Sequence, residues 1–455
     1  MSRVWGFVRT GCALAAGGTL AVAMAPARAE DTHEGFSVSG AMRLRFEAID
    51  GQARAGFNKS DDLVNLRTNL LAQYLKSDFE VAIELYDSRV WGDKIGTPVS
   101  TNEVNALEPV QAYVAGTLRN PFGEGSKAVV TAGRMMLNLG SRRLVAADDY
   151  RNTTNGYTGL KVDLSAKGGW KGSFIYSLPQ VRLPDDPDDV RSAIVKLDKE
   201  SFNLVLWGGQ VSRATTAGAA ALEFTYFHLG ERDAPGRPTR DRSLNTFGGR
   251  VILKPQAAQL DYEIEGFLQT GSMSISTAPS SSRQSVAANF IHADVGYTFR
   301  GAWTPRLSVE YDRASGDKPG GKFGRFDTLF GMRRADLAPA GLYNALARTN
   351  IETIGVRIEA KPSKRFDWFA VYRAIWLPAR HDSFSSTGVR DATGRSGDFA
   401  GHQLEGRLRY WIVPKRLQFE FDGLVLSKGR FMQNAPNASA GKRTRYASFN
   451  LTASF

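Results

Sequence analysis

The sequence predicts an all-β chain: an 18-stranded antiparallel transmembrane β-barrel with short periplasmic turns and long extracellular loops. Three observations carry this. In the final segment Ala447, Phe449, Leu451, Ala453 and Phe455 alternate with Ser448, Asn450, Thr452 and Ser454. One face of that strand suits lipid and the other a wet lumen. The connections between period-2 segments also alternate, short then long, along the chain. Finally, no apolar run after the first 29 residues approaches the ~18 residues that a spanning helix needs. A barrel needs no such run, because half of each strand is polar.

The N-terminal segment reads as a secretory signal peptide. Arg3 and Arg9 form a basic start, Gly11 to Ala25 is small and apolar, and Ala27, Arg28 and Ala29 make a cleavage site. The expected organisation is a signal peptide over 1–29 and an outer-membrane barrel over 30–455. The single cysteine, Cys12, leaves with the signal, so no disulfide or thiolate metal site is expected in the mature chain. The whole chain holds 58 basic and 46 acidic residues, a formal net charge of +12. Losing Arg3, Arg9 and Arg28 leaves +9. A basic balance suits nucleic acid, an anionic surface or an anionic solute; export argues against nucleic acid.

Period-2 patterning places strands near 36–47, 62–75, 79–86, 108–118, 127–137, 157–165, 170–177, 200–212 and 219–230. It places nine more near 244–254, 258–270, 286–300, 305–315, 350–361, 365–377, 401–413, 416–428 and 444–455. The first is clear: Val38, Gly40, Met42, Leu44 and Phe46 alternate with Ser39, Ala41, Arg43, Arg45 and Glu47. Short connections fall at 76–78, 119–126, 166–169, 213–218, 255–257, 301–304, 362–364 and 414–415. Long ones fall at 48–61, 87–107, 138–156, 178–199, 231–243, 271–285, 316–349, 378–400 and 429–443. A sandwich or propeller has no reason to alternate in this way. An even strand count puts both termini in the periplasm. A strand of ~10 residues rises ~33 Å and, tilted by ~40°, spans the ~25 Å apolar band. Trp170, Trp303, Trp368, Trp376 and Trp411 fall near strand ends, where an aromatic girdle would sit.

Residues 133–163 hold a dense motif. It runs Gly133-Arg134, then Leu139, Gly140, Ser141, Arg142, Arg143, Leu144 and Val145, then Asp148, Asp149, Tyr150, Arg151 and Asn152, and resumes as a strand at Tyr157. This resembles the alginate-export outer-membrane porin family. Residues 111–114 are similar to the family's preceding strand, and Phe326 to Gly331 to its long seventh loop. Met135, Met136 and Thr158 stand where relatives carry more polar residues. The resemblance implies a channel whose loop after strand five folds inward as a constriction, with Arg134, Arg142, Arg143, Asp148, Asp149 and Arg151 as charged residues of both signs at a narrow point.

Strand phase gives the remaining candidate pore-lining residues: Arg43, Arg45, Arg67, Arg250, Arg357, Arg373, Arg407 and Arg409. The same phase turns Glu263, Glu265, Asp294, Glu310 and Asp312 inward. Acidic residues crowd strands eleven to thirteen, whereas basic ones gather on fourteen to sixteen and on one and two. That predicts a transverse field. An arginine fork matches a sugar carboxylate in geometry.

The expected function is an outer-membrane channel for anionic solutes; the resemblance adds export of an anionic polysaccharide such as alginate. A small-molecule uptake porin is the alternative reading. A barrel enzyme or an adhesin is a lesser alternative: an adhesin would want a plugged lumen, and an enzyme would need a nucleophile and base near the rim, for which inward His292 with Ser308 is the one loose pairing. No catalytic motif, metal-spaced histidine pair or Gly-rich phosphate loop is present, so no enzyme, cofactor or metal site is expected. The expected partners are outer-membrane lipid and lipopolysaccharide, an anionic polysaccharide or small anion, and, because Phe455 resembles its signal, the barrel-assembly machinery. The expected location is the bacterial outer membrane.

Overall fold

The computed structural model describes residues 34–214, 220–333 and 336–455. The signal peptide expected over 1–29 lies outside the described residues.

Among the described residues eighteen strands form. They are β1 (Gly35–Asp50), β2 (Ser60–Lys76), β3 (Phe79–Trp91), β4 (Asn105–Arg119), β5 (Lys127–Met135) and β6 (Tyr157–Ala166). There follow β7 (Trp170–Pro179), β8 (Leu204–Ala214), β9 (Ala220–Glu231), β10 (Ser243–Leu253), β11 (Leu260–Ser274) and β12 (Arg283–Thr298). The last six are β13 (Arg306–Ala314), β14 (Ile351–Ser363), β15 (Phe366–Trp376), β16 (Phe399–Val413), β17 (Leu417–Lys428) and β18 (Arg443–Ser454). Each pairs antiparallel with the next, and β18 pairs with β1, Met42 facing Ala453 and Leu44 facing Leu451. The sheet is therefore a closed barrel, with no unpaired edge to cap. No described helix is long and apolar enough to cross a membrane.

The pleat explains the two surfaces. Met42, Leu44 and Phe46 on β1, and Ile354, Val356 and Ile358 on β14, stand exposed on the outside. Such a band is unstable against water and stable against hydrocarbon. The alternate positions, Arg43, Arg45 and Glu47, are buried in the lumen. Short turns and long loops alternate as expected. The side carrying the short connections is called the turn side here, and the other the loop side. The acidic run after Pro184 forms a short helix, α1 (Pro187–Arg191), whose N-cap Asp186 accepts from the Asp188 and Asp189 amides.

Two long loops leave the rim and fill the barrel. In loop 3, residues 136–156, the stretch 143–148 is wholly buried; in loop 7, residues 315–350, the stretch 336–348 is. A buried loop must satisfy its own backbone. These two do so on each other: Ala146 N–H donates to Phe330 C=O (3.1 Å), Phe330 N–H to Leu144 C=O (2.9 Å) and Met332 N–H to Arg142 C=O (3.0 Å). Loop 7 also docks Phe326 onto Phe267 of β11 and Phe290 of β12, with ring centroids 6.4 and 5.7 Å away. That stack replaces lumen water with apolar contact.

Candidate channel constriction

Loop 3 crosses the lumen and is held at both ends. On one wall, Arg43 donates to the Asp149 and Arg151 carbonyls at 2.9 and 2.7 Å, and to Asn152 Oδ1 at 3.4 Å. Arg67 donates to the same two carbonyls at 3.2 Å each. Arg45 lies 4.0 Å over the Tyr150 ring, donates to Asn450 Oδ1 at 2.5 Å, and sits 3.5 Å from Glu47. The Tyr150 hydroxyl meets that of Tyr446 at 2.8 Å, and Tyr446 donates to Glu47 at 3.0 Å. On the far wall, Arg143 reaches Glu263 at 2.5 Å and Glu265 at 2.6 Å, both on β11. It also grips Asp336 of loop 7 through Nε at 2.9 Å and a terminal nitrogen at 2.7 Å. Arg348 holds the same carboxylate. Burial would raise the Asp336 pKa, but Arg143 and Arg348 hold it well below the usual carboxylate range.

The other predicted residues are placed as follows. Arg142 pairs with Asp149 at 3.1 Å, and Arg151 with Asp148 at 3.3 Å. Burial pushes the Asp149 carboxyl up to about 6 against the pull of Arg142 and Arg67. Arg134 points inward but is tied to Glu108 at 2.5 Å and to Glu200 at 2.9 Å. Arg250 lies 3.9 Å from Glu223. Arg357 faces Glu310 at 3.6 Å and Glu359 at 2.9 Å, and Arg373 faces Glu310 at 3.5 Å. Arg407 and Arg409 share Asp367, each at 3.0 Å.

The expected basic arc on β14 to β16 is thus broken up by local carboxylates. The acidic arc on β11 to β13 is answered by Arg143 and by Arg306, which bridges Asp261 and Asp294. On β1 and β2 the picture differs. Among the described residues, Arg43 and Arg67 have no carboxylate within 4 Å; their partners are carbonyl and amide oxygens. Two loop arginines share this state. Arg182 donates to Thr101, Asn102 and Asn155 oxygens, and burial beside Arg151 lowers its pKa to about 9. Arg333 donates to Asn344, and burial beside Arg151 lowers it to about 10. His292 Nδ1 pairs with Asp312 at 2.8 Å, and among the described residues no hydrogen bond joins His292 to Ser308.

Sequence reasoning missed Arg306, Asp367, Arg182, Arg333, Asp336 and Arg348. Strand phase could have found the first two, since Arg306 shares a face with Glu310 and Asp367 with Arg373. The loop residues carried no periodic signal. The two inward loops separate two cavities. One on the loop side, about 580 Å³, includes Arg240, Arg242, Asp327 and Arg333 in its lining. One on the turn side, about 140 Å³, includes Arg143, Asp336, Arg357, Arg407 and Arg409. Arg134 lines neither.

A family model described as "Alginate export" matches residues 36–445. The chain belongs to the alginate-export family. Its fold is similar to that of outer-membrane proteins from Pseudomonas aeruginosa. Against OccK8 (OprE) the TM-score is 0.59 at 11% identity, covering 93% of this chain and 99% of that one. Against OccK2 (OpdF) it is 0.57 at 12% identity, with 93% and 99% covered. A structure of OccK2 in complex with glucuronate matches at a TM-score of 0.56 and 12% identity, with the same coverage. No curated protein matches the chain. Family and fold together make this alginate-export member an outer-membrane channel of the porin type.

Proposed function

We propose that the channel passes anionic solutes through the space between loops 3 and 7 and the barrel wall, and that the solute class is a carboxylated sugar or its polymer, alginate included. The observation that carries this reading is a set of buried and half-buried guanidinium groups that, among the described residues, make no ion pair within 4 Å: Arg43, Arg67, Arg182 and Arg333. Buried cations in a poorly screened lumen raise the local concentration of anions and lower the barrier to their entry. Membership of the alginate-export family supports an anionic polysaccharide as cargo. Both termini are assigned to the periplasm, since the short turns share their side of the barrel.

A second reading, uptake of small carboxylates, draws on the two inward loops, which leave narrow passages for a polymer. Reversal potential in a KCl gradient across a planar bilayer tests the shared claim. Anion selectivity is expected, decreasing when Arg43 and Arg67 are replaced by glutamine. Wild-type cation selectivity would overturn it. Current block by oligomeric alginate against block by glucuronate then separates polymer from monomer.

A further inference from the structure

We infer that Arg143 and Arg348 form a carboxylate subsite, that Asp336 occupies it as a resident ligand, and that a uronate carboxylate of the solute displaces Asp336 and so releases loop 7. This rests on the anionic-solute reading above and specifies where the solute first competes with the protein.

The geometry is that of ligand recognition. Arg143 offers Asp336 two parallel N–H donors, at 2.9 and 2.7 Å. This fork-to-carboxylate arrangement is the one by which arginine binds a free carboxylate. Arg348 adds an Nε–H contact at 2.9 Å to the same oxygen, Oδ2. The three side chains are at most 5% exposed. An exchange of carboxylate for carboxylate keeps both guanidinium groups paired throughout. Simple departure of Asp336 would strand a buried charge. The layer also lies where the solute must pass. Asp336 and Arg143 line the turn-side cavity, and Arg333, three residues before Asp336, lines the loop-side one.

Loop 7 suits displacement. Ala338, Ala340, Gly341, Ala345 and Ala347 are small, so the side-chain volume that must move is concentrated in Leu337, Leu342, Tyr343 and Leu346, all buried. Other polar ties of this stretch involve no ion pair: Arg373 donates to the Asp336 carbonyl at 2.8 Å, Leu342 N–H to Glu47 at 2.9 Å, Gln52 to the Leu342 carbonyl at 3.2 Å, Tyr343 to Gln403 at 2.5 Å, and Ala347 N–H to the Ser385 hydroxyl at 2.6 Å. The Asp336 carboxylate is the strong tether. A tethered carboxylate competes at a high effective concentration, so a monouronate displaces it poorly. A polyuronate, which presents a new carboxylate at every residue, displaces it better.

The test uses the full-length mature protein in planar bilayers, with tetragalacturonate, glucuronate and maltotetraose as probes. For wild type, tetragalacturonate is expected to act at concentrations about 100-fold below glucuronate, and maltotetraose to have no effect. Asp336→Asn is expected to spend more time in a higher-conductance level and to bind tetragalacturonate about tenfold more tightly, since the resident competitor is gone. Asp336→Glu is expected to restore competition. An anion-selective wild type with Asp336→Asn unchanged in conductance and affinity would overturn the subsite and leave the channel reading intact. A cation-selective wild type would overturn the channel reading itself. Should Asp336→Asn fail to fold, hydrogen exchange of residues 336–348 in wild type decides. Faster exchange with tetragalacturonate but not maltotetraose supports displacement, and unchanged exchange overturns it.

Discussion

Arg143 and Asp336 join the two inward loops to one another through paired N–H···O contacts of 2.7 and 2.9 Å. Arg143 simultaneously reaches Glu263 and Glu265 on β11. One side chain therefore links loop 3, loop 7 and the barrel wall. Removing it leaves three carboxylates close together, with Arg348 as the remaining named partner of Asp336.

The first prediction compares two arginines of the same motif. Arg143→Ala is expected to destabilise the loop layer by about 3–5 kcal/mol, the cost of breaking a buried ion pair. It should alter single-channel conductance and reduce anion selectivity. Arg134→Ala acts on a residue held against Glu108 and Glu200, away from both cavities, and should change conductance less. Conductance and reversal potential of the two variants give the ranking. A larger effect of Arg134→Ala would place the constriction elsewhere.

The second concerns pH. Asp149 has a folded pKa of about 6, above the ~3.9 of an unfolded aspartate. The folded state therefore binds the extra proton between these values, and stability rises as pH falls from about 6 towards 4. Protonation also removes a negative charge beside Arg142 and Arg67. Anion selectivity is expected to increase from pH 7 to pH 5. Asp149→Asn should flatten part of that rise; Asp198, also pushed up to about 6 by burial, supplies another part. Reversal potentials at the two pH values measure both, and an undiminished rise in Asp149→Asn would clear Asp149 of the role.

The third concerns how loop 3 is held. Arg43 and Arg67 donate four hydrogen bonds to the Asp149 and Arg151 carbonyls. A charged donor contributes about 1.5–3 kcal/mol to such a contact. The double variant Arg43→Ala, Arg67→Ala should leave the barrel folded but loosen the loop. Hydrogen exchange at residues 149–152 is expected to accelerate while exchange in the strands stays as in wild type. Unaltered loop exchange would mean that neighbouring contacts suffice.

The fourth tests the seam between β1 and the chain beyond β18. Gly40 exchanges two backbone hydrogen bonds with Phe455, each 3.1 Å. A Cβ at Gly40 would lie 2.6 Å from the Asn69 carbonyl oxygen and 2.8 Å from the Phe455 ring. Gly40→Val is therefore expected to cost about 1–3 kcal/mol by overpacking. Heat-modifiable migration on gels should show a lower unfolding temperature and less folded protein at the cell surface, with Gly40→Ala intermediate.

The sequence made the barrel legible because each strand carries its own evidence. Arg43, Arg45 and Glu47 had to share a face once Met42, Leu44 and Phe46 were assigned to lipid, and no tertiary context could reverse that. Even the weakly patterned segment near 157–165 is found at Tyr157–Ala166. Arg306 and Asp367 escaped notice at the first and second positions of their strands, where phase is hardest to anchor. Loop 7 is different in kind. Nothing in the run from Asp336 to Arg348 has a period, and its burial depends on Phe267, Phe290 and Arg143, which lie far away in sequence. Charge counting failed for a related reason. It placed basic and acidic residues on opposite arcs but could not foresee Arg357, Arg407 and Arg409 settling on Glu310, Glu359 and Asp367.

The pairing of β1 with β18 sets a clock. Met42 faces Ala453, so the ring cannot shut until β18 has been made and delivered to the membrane. Until then the N-terminal strand waits with one row of amides and carbonyls bare, an open invitation to a neighbouring chain. Any mutation that slows delivery of the final strand lengthens that exposure, without touching a single contact of the finished barrel.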